Sequence, residues 1–345
     1  MSPMVYSIII SSLGTGTIIT LTSHHWLLAW IGLEINTLAI IPMISMQHHP
    51  RATEAATKYF LTQAAASAMI LFSSTTNAWY VGTWDITQMT DPTSQTTLTL
   101  ALMMKLGLAP LHFWLPEVLQ GSTLLTALII TTWQKLAPMA LIYMTINNQS
   151  PTILFTLALI STLIGGWAGM NQTQTRKIMA YSSIAHLGWM MAVASMMTNI
   201  MTLNLFIYLF MTTAMFFSLV LSKSKTIQDT STSWATSPTL TIIMMLTLLS
   251  LGGLPPLTGF LPKWLILEEL TTQNLIPMAI AMALSSLLSL FFYLRLTYTT
   301  TLTLSPNTTQ MKHKWRFKTT NIMLPLTITA PLSLLMLPIL PTMTT

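Results

Sequence analysis

The sequence predicts an all-α integral membrane protein of about eleven transmembrane helices: two inverted five-helix repeats, each with a broken helix, and a C-terminal helix. Three observations predict this. First, 52% of the 345 residues are hydrophobic and only 6% charged, against roughly 25% charged in a soluble domain, and mean hydropathy is +0.64. Second, the loop charges segregate by sign. Third, a glycine–proline interruption recurs at the same place in two successive sets of five hydrophobic segments.

Windows of about twenty residues place the helices in order. Segment 3–21 is uncharged and stops before His24-His25, and segment 25–45 is apolar except for Glu34. Segment 52–77 follows Pro50, and segment 96–119 carries Lys105, Gly107 and Pro110. Segment 123–145 carries Lys135 and ends at the breaker cluster Asn147-Asn148-Gln149-Ser150-Pro151. Segment 150–170 contains Gly165 and Gly169, spaced as in helix-contact motifs. Segments 177–196 and 199–221 follow, then 238–268, interrupted at "GGLPP". Segment 274–295 is separated from 321–341 by a Thr-rich and then basic stretch. The reading is a single domain over 1–345, with repeats over 3–145 and 150–295. No basic n-region or small-residue cleavage site opens the chain, so no removable leader is expected.

The loop charges check this count independently. Even-numbered loops hold Arg51 and Lys58, Arg176 and Lys177, Lys223 and Lys225, then Arg295, Lys312, Lys314, Arg316 and Lys318. Odd-numbered loops hold no Lys or Arg and carry Asp85, Asp91, Glu268 and Glu269. A miscount of one helix would scramble this pattern beyond it. The positive-inside rule then puts the N-terminus on the side of synthesis and the C-terminus opposite.

Composition also excludes function classes. The chain has no cysteine, so it offers no disulfide, thiolate metal site or iron–sulfur ligation. The net charge of +6 is dispersed along the chain, which argues against a nucleic-acid stripe. No nicotinamide fingerprint, P-loop or haem-like ligand pair occurs, so no cofactor or metal is expected to be bound by this chain. His24-His25 and His48-His49 fall in loops as solvated pairs, and Trp26, Trp79, Trp84 and Trp234 are expected at membrane interfaces.

Four charges remain inside hydrophobic segments: Glu34, Lys105, Lys135 and Lys263. A charge at a helix centre costs about 2.5–3.5 kcal/mol on insertion scales, so the four together would cost on the order of 10 kcal/mol if unpaired. Three lysines cannot be neutralised by one glutamate. A row of such groups reads as a proton relay, which His112 and His186 could join because imidazole titrates near neutral pH. The alternative is a structural ion pair with the other lysines snorkelling, and it is strongest for Lys263, which lies close to Glu268. Gly107 and Pro110 follow Lys105, whereas Pro255 and Pro256 precede Lys263. Proline frees a backbone carbonyl, tolerable in hydrocarbon only where protein or water meets it. Interrupted helices at matching places in two halves point to a transport site.

Three stretches, "KLGLAPLHFWLPEVLQG", "RKIMAYSSIAHLGWM" and "GLPPLTGFLPKW", resemble the antiporter-like subunits of respiratory complex I and, more distantly, Mrp-type sodium/proton antiporters. The resemblance runs over nearly the whole chain. It implies that Glu34 pairs with Lys105, that Lys135 continues a hydrated polar axis, and that Lys263 passes protons toward the exit, with His112 and His186 as further members. It implies a proton-translocating subunit of the NADH:ubiquinone reductase, a translocase whose NADH, FMN, iron–sulfur clusters and ubiquinone belong to partner chains. The expected partners are other membrane-arm subunits, including further antiporter-like chains, accessory subunits, and membrane lipids with cardiolipin a candidate, but no nucleic acid. The expected location is the mitochondrial inner membrane, multi-pass, with the N-terminus on the matrix side and the C-terminus in the intermembrane space. Bacterial members have fourteen helices, so the first three are expected to be missing here. The competing readings are an autonomous cation/proton antiporter and a structural spacer without pumping.

Overall fold

The computed structural model describes residues 2–235, 237–301 and 323–339. Among them the fold is all-helical. The helices are α1 Pro3–Thr22, α2 Trp26–Ser45, α3 Pro50–Val81, α4 Pro92–Leu106, α5 Trp114–Gly121, α6 Leu124–Thr131, α7 Trp133–Thr145 and α8 Pro151–Met170. They continue as α9 Thr175–Ala194, α10 Thr198–Ser222, α11 Ile227–Thr232, α12 Pro238–Gly252, α13 Phe260–Thr272, α14 Ile276–Thr301 and α15 Met323–Leu335. Among the described residues, six stretches are long and apolar enough to cross a membrane: α1, α2, residues 124–148 spanning α6 and α7, α8, α10 and α14.

Local chemistry sets many of these boundaries. The His25 and His49 rings sit at helix starts, each accepting at Nδ1 the backbone N–H two residues on, both at 3.2 Å. Asp91 caps α4, its Oδ2 accepting Ser94 N at 2.8 Å, and Pro92 fills the first helical position. Thr226 and Asp229 close a capping box on α11. Within the helices, hydroxyls such as Thr20, Ser73 and Ser250 donate back to carbonyls three residues earlier. Abundant Ser and Thr are therefore compatible with an apolar surrounding, because their polar atoms are paired locally.

The chain forms two compact units, 1–160 and 161–345. In the first, α1 lies against α2, α2 and α4 flank α3, and α5 returns onto α3. A Cβ added at Gly16 would stand 2.9 Å from the Gly32 carbonyl, so α1 and α2 approach backbone to backbone. The loop after α3 folds over the start of α2: Trp26 N donates to Trp84 O and Ile86 N to His24 O, both at 3.1 Å. In the second unit α10 packs against α12 and α15, α12 against α14, and α9 against α10 and α13.

Several expectations change. The segment 123–145 is two helices, since Thr132, at φ −112° and ψ −70°, interrupts it. Arg295, read as a loop residue, lies inside α14, which runs about a turn and a half further than expected, and its Nη1 donates to Met170 O at 2.6 Å. Lys58 lies inside α3, Glu268 and Glu269 inside α13, and Arg176 and Lys177 at the start of α9. Trp26 is fully buried under the Trp84 loop, whereas Trp79 is exposed as an interface residue would be. Lys312, Lys314, Arg316 and Lys318 lie outside the described residues, as do the ends of the predicted C-terminal helix.

Candidate functional site

In the first unit the site is built at the end of α4. Gly107 terminates that helix in the left-handed region, at φ +77°, which a side chain would strain. Its N–H donates to Met103 O at 2.9 Å and Met104 O at 3.2 Å. Residues 107–113, including Pro110, then run without regular helix until α5. The Trp114 indole N–H reaches back to Met104 O at 3.1 Å, so a tryptophan meets a carbonyl at the exposed helix end.

Lys105 sits in the last turn of α4, two residues before Gly107, and is 6% exposed. Its Nζ is buried without a hydrogen-bond partner. Glu34, half-buried on α2, is within electrostatic reach of Lys105, yet its Oε2 also lacks a partner. The two charges therefore attract each other without closing a direct hydrogen bond. Lys135, 3% exposed, lies just past the Thr132 interruption.

Lys105 and Lys135 share one cavity of about 10 Å³, room for about one water. Its polar wall also includes Asn36, Tyr59, Gln63 and Gln134. Leu33 and Thr37 beside Glu34 form part of the wall, placing the carboxylate's helix at its edge. His112 lies in the break itself, 3% exposed, its ring 4.4 Å from that of Phe113.

The second unit repeats the break with different contacts. Gly253 ends α12 at φ +76°, and the chain resumes as helix at Phe260. The Lys263 ammonium donates to Gly252 O at 2.9 Å and stands 6.0 Å from the centre of the Trp189 ring. The Thr258 hydroxyl donates to Ser333 O on α15. His186, 6% exposed on α9, has Nε2 3.5 Å from Tyr293 Oη and its ring 5.5 Å from that of Tyr208.

Comparison with known proteins decides the family. Residues 23–289 match the model described as NADH:quinone oxidoreductase/Mrp antiporter, and residues 290–344 match the one described as NADH dehydrogenase subunit 2 C-terminus. The NADH-ubiquinone oxidoreductase chain 2 of Danio rerio is 58% identical over 99% of this chain and 98% of its own length. That of Salmo salar is 58% identical over 100% and 99%. The chain belongs to the NADH-ubiquinone oxidoreductase chain 2 family. A chain in a structure titled respiratory complex I from Thermus thermophilus with bound aureothin has the same fold, with a TM-score of 0.84 and 24% identity over 98% of this chain and 80% of that one.

Within this family member, the predicted residues fall into two groups. Lys105 and Lys135 meet in one cavity, Glu34 lies within electrostatic reach of Lys105, and His112 lies in the adjoining break. Lys263 and His186 belong to the second unit, where Trp189, under the Lys263 ammonium, lies one turn from His186 on α9. Gly107 and Pro110 lie in the first interruption, and Pro255 and Pro256 in the second. A reading built on formal charge missed the carboxamides Asn36, Gln63 and Gln134. Their signal was available as uncharged polar residues recurring within otherwise apolar segments.

Proposed function

We propose that the chain is a core membrane subunit of respiratory complex I that translocates protons across the mitochondrial inner membrane through a buried Glu/Lys relay. Electron transfer from NADH to ubiquinone in partner subunits drives it. The observation that carries the reading is Lys105: a buried ammonium with no hydrogen-bond partner, facing a water-sized cavity shared with a second buried lysine. A group held in this way is poorly solvated when charged, so a modest change in nearby charge shifts its proton affinity. Glu34 supplies one such charge, and protonation of Lys135 supplies another of opposite effect, so the sites titrate as a coupled set.

The same reading extends along the chain. Eleven crossings in two inverted five-helix repeats, 3–145 and 150–295, with a C-terminal helix, form one antiporter-like domain. His112 joins the first half of the relay, and Lys263 and His186 the second. Its class is translocase, and the NADH, FMN, iron–sulfur and ubiquinone chemistry resides in other chains. Its partners are further antiporter-like and accessory subunits and membrane lipids, with the N-terminus facing the matrix. The Lys263–Gly252 contact favours a second, structural share for Lys263, because that ammonium closes a broken helix.

The test is coupled proton pumping by the assembled complex carrying Lys105→Met in sealed vesicles, with NADH oxidation and ΔpH followed together. The proposal expects a lower proton yield per electron. An unchanged yield in a normally assembled complex would reduce the subunit to a scaffold.

A further inference from the structure

Asn36 is the most anomalous uncharged residue of the first unit. It is 2% exposed, and both its Nδ2 and its Oδ1 are buried without a hydrogen-bond partner. Its backbone carbonyl, by contrast, accepts from Gln134 Nε2 at 3.3 Å. The missing partners are not available behind it: a Cβ added at Gly16 would lie 2.5 Å from Asn36 Oδ1, so the backbone of α1 closes that side. Gln63, on α3, repeats the pattern, being 4% exposed with Nε2 buried and unpartnered. Both residues line the cavity that holds Lys105 and Lys135. Buried amide groups are satisfied by protein or water in folded proteins. A cavity of about 10 Å³ holds about one water if it offers two to four polar partners.

The unpartnered groups on this wall match one water. Lys105 Nζ, Asn36 Nδ2 and Gln63 Nε2 are donors for its two lone pairs, while Asn36 Oδ1 is turned toward the α1 backbone at Gly16. With its lone pairs taken by these donors, the water points a proton at a neutral Lys135 amine. We infer that Asn36 and Gln63 form a carboxamide cradle that holds the water through which a proton passes between Lys105 and Lys135. This rests on the relay proposed above. In the step, Lys105 ammonium gives a proton to the water oxygen while the water gives one of its own to the Lys135 amine. The O–H bond to Lys135's side breaks as the N–H bond forms, and water is regenerated. Asn36 and Gln63 exchange no proton. They fix where the oxygen sits, and are positioning residues.

The test uses the assembled complex in sealed vesicles with three variants: Asn36→Leu, Gln63→Met and Lys105→Met. The first two keep approximate side-chain size and remove the amide. The inference expects the proton yield per electron of Asn36→Leu to fall by at least half of the loss seen with Lys105→Met, and that of Gln63→Met to fall less. If Lys105→Met lowers the yield and Asn36→Leu does not, the cradle is overturned and the relay stands. If none of the three lowers it, the relay itself fails. Should Asn36→Leu not assemble, an experimental map of the unaltered complex decides: a water within hydrogen-bond distance of Asn36 and Lys105 supports the cradle, and a dry cavity overturns it.

Discussion

The two broken helices of this chain align residue for residue, yet they handle charge in opposite ways. Gly107 corresponds to Gly253, Pro110 to Pro256 and Pro116 to Pro262. Both glycines lie in the left-handed region and cap their helices through backbone N–H groups. The cation, however, changes place. In the first break the lysine precedes the glycine by two residues, at a position where the second has Leu251. In the second, Lys263 stands where the first has Glu117, which is exposed and pairs with Lys58 at 2.6 Å. A tryptophan indole meets a carbonyl at the end of the first helix, and an ammonium meets one at the end of the second. The ammonium of the first break is thus left without a fixed partner, and that of the second is tied to structure. The cavities follow suit. The first holds two lysines and three carboxamides, whereas a cavity in the described part of the second unit is lined by residues such as Met179, Met215 and Leu248, and neither Lys263 nor His186 lines it.

This contrast can be broken most severely at Gly259. Its counterpart in the first break is Phe113, 72% exposed, whereas a Cβ at Gly259 would fall 1.8 Å from the Ser250 carbonyl. Backbone cannot yield as a side-chain tip does, so Gly259→Ala is expected to destabilise the second unit by more than about 4 kcal/mol. The expected readout is loss of the subunit from the purified complex, with Phe113→Ala assembling normally.

Lys263→Met comes next. It removes a charge-assisted hydrogen bond and orphans the Gly252 carbonyl, a loss of about 1.5–3 kcal/mol. A lowered thermal transition of the complex would register it. Trp114→Phe is the matching change in the first break. It should cost about 1 kcal/mol, the usual worth of a neutral hydrogen bond, and the same thermal measurement would rank the two.

How far these features were legible in the sequence depends on what each residue type announces. Glycine and proline declare their backbone consequences, so both breaks were readable from "KLGLAP" and "GGLPP". A charge in an apolar segment declares its insertion cost, so Glu34, Lys105, Lys135 and Lys263 stood out. The Thr132 interruption did not, because Pro138, the nearest proline, lies six residues later and inside α7. Asn36 and Gln63 were passed over for a different reason. A carboxamide carries no formal charge, and most polar side chains here pair with their own helix, so only the structure distinguishes the ones left unpaired. The partners of Trp114 and Lys263 are tertiary facts, set by how each chain returns after its break.

The smallest expected effect lies at the entrance to the first broken helix. Hydrogen bonds from the Ser94 and Thr93 hydroxyls and the Ser94 N–H hold the Asp91 carboxyl below the usual carboxylate range. A carboxylate depressed on folding contributes stability above its unfolded pKa and loses it as pH falls through the folded value. The stability difference between Asp91→Asn and the unaltered chain should therefore be modest at pH 7 and shrink below about pH 4, which paired thermal scans at the two pH values would detect.

The central claim is that the ammonium of Lys105 is kept unpartnered for transport and contributes nothing to holding the fold. Thermal stability and proton yield per electron, measured on one preparation of the complex carrying Lys105→Met, test it most directly. Removing a buried charge that lacks a hydrogen bond should leave stability unchanged or raised, while the proton yield falls. A lowered thermal transition with an unchanged proton yield would contradict the claim and make Lys105 a structural residue.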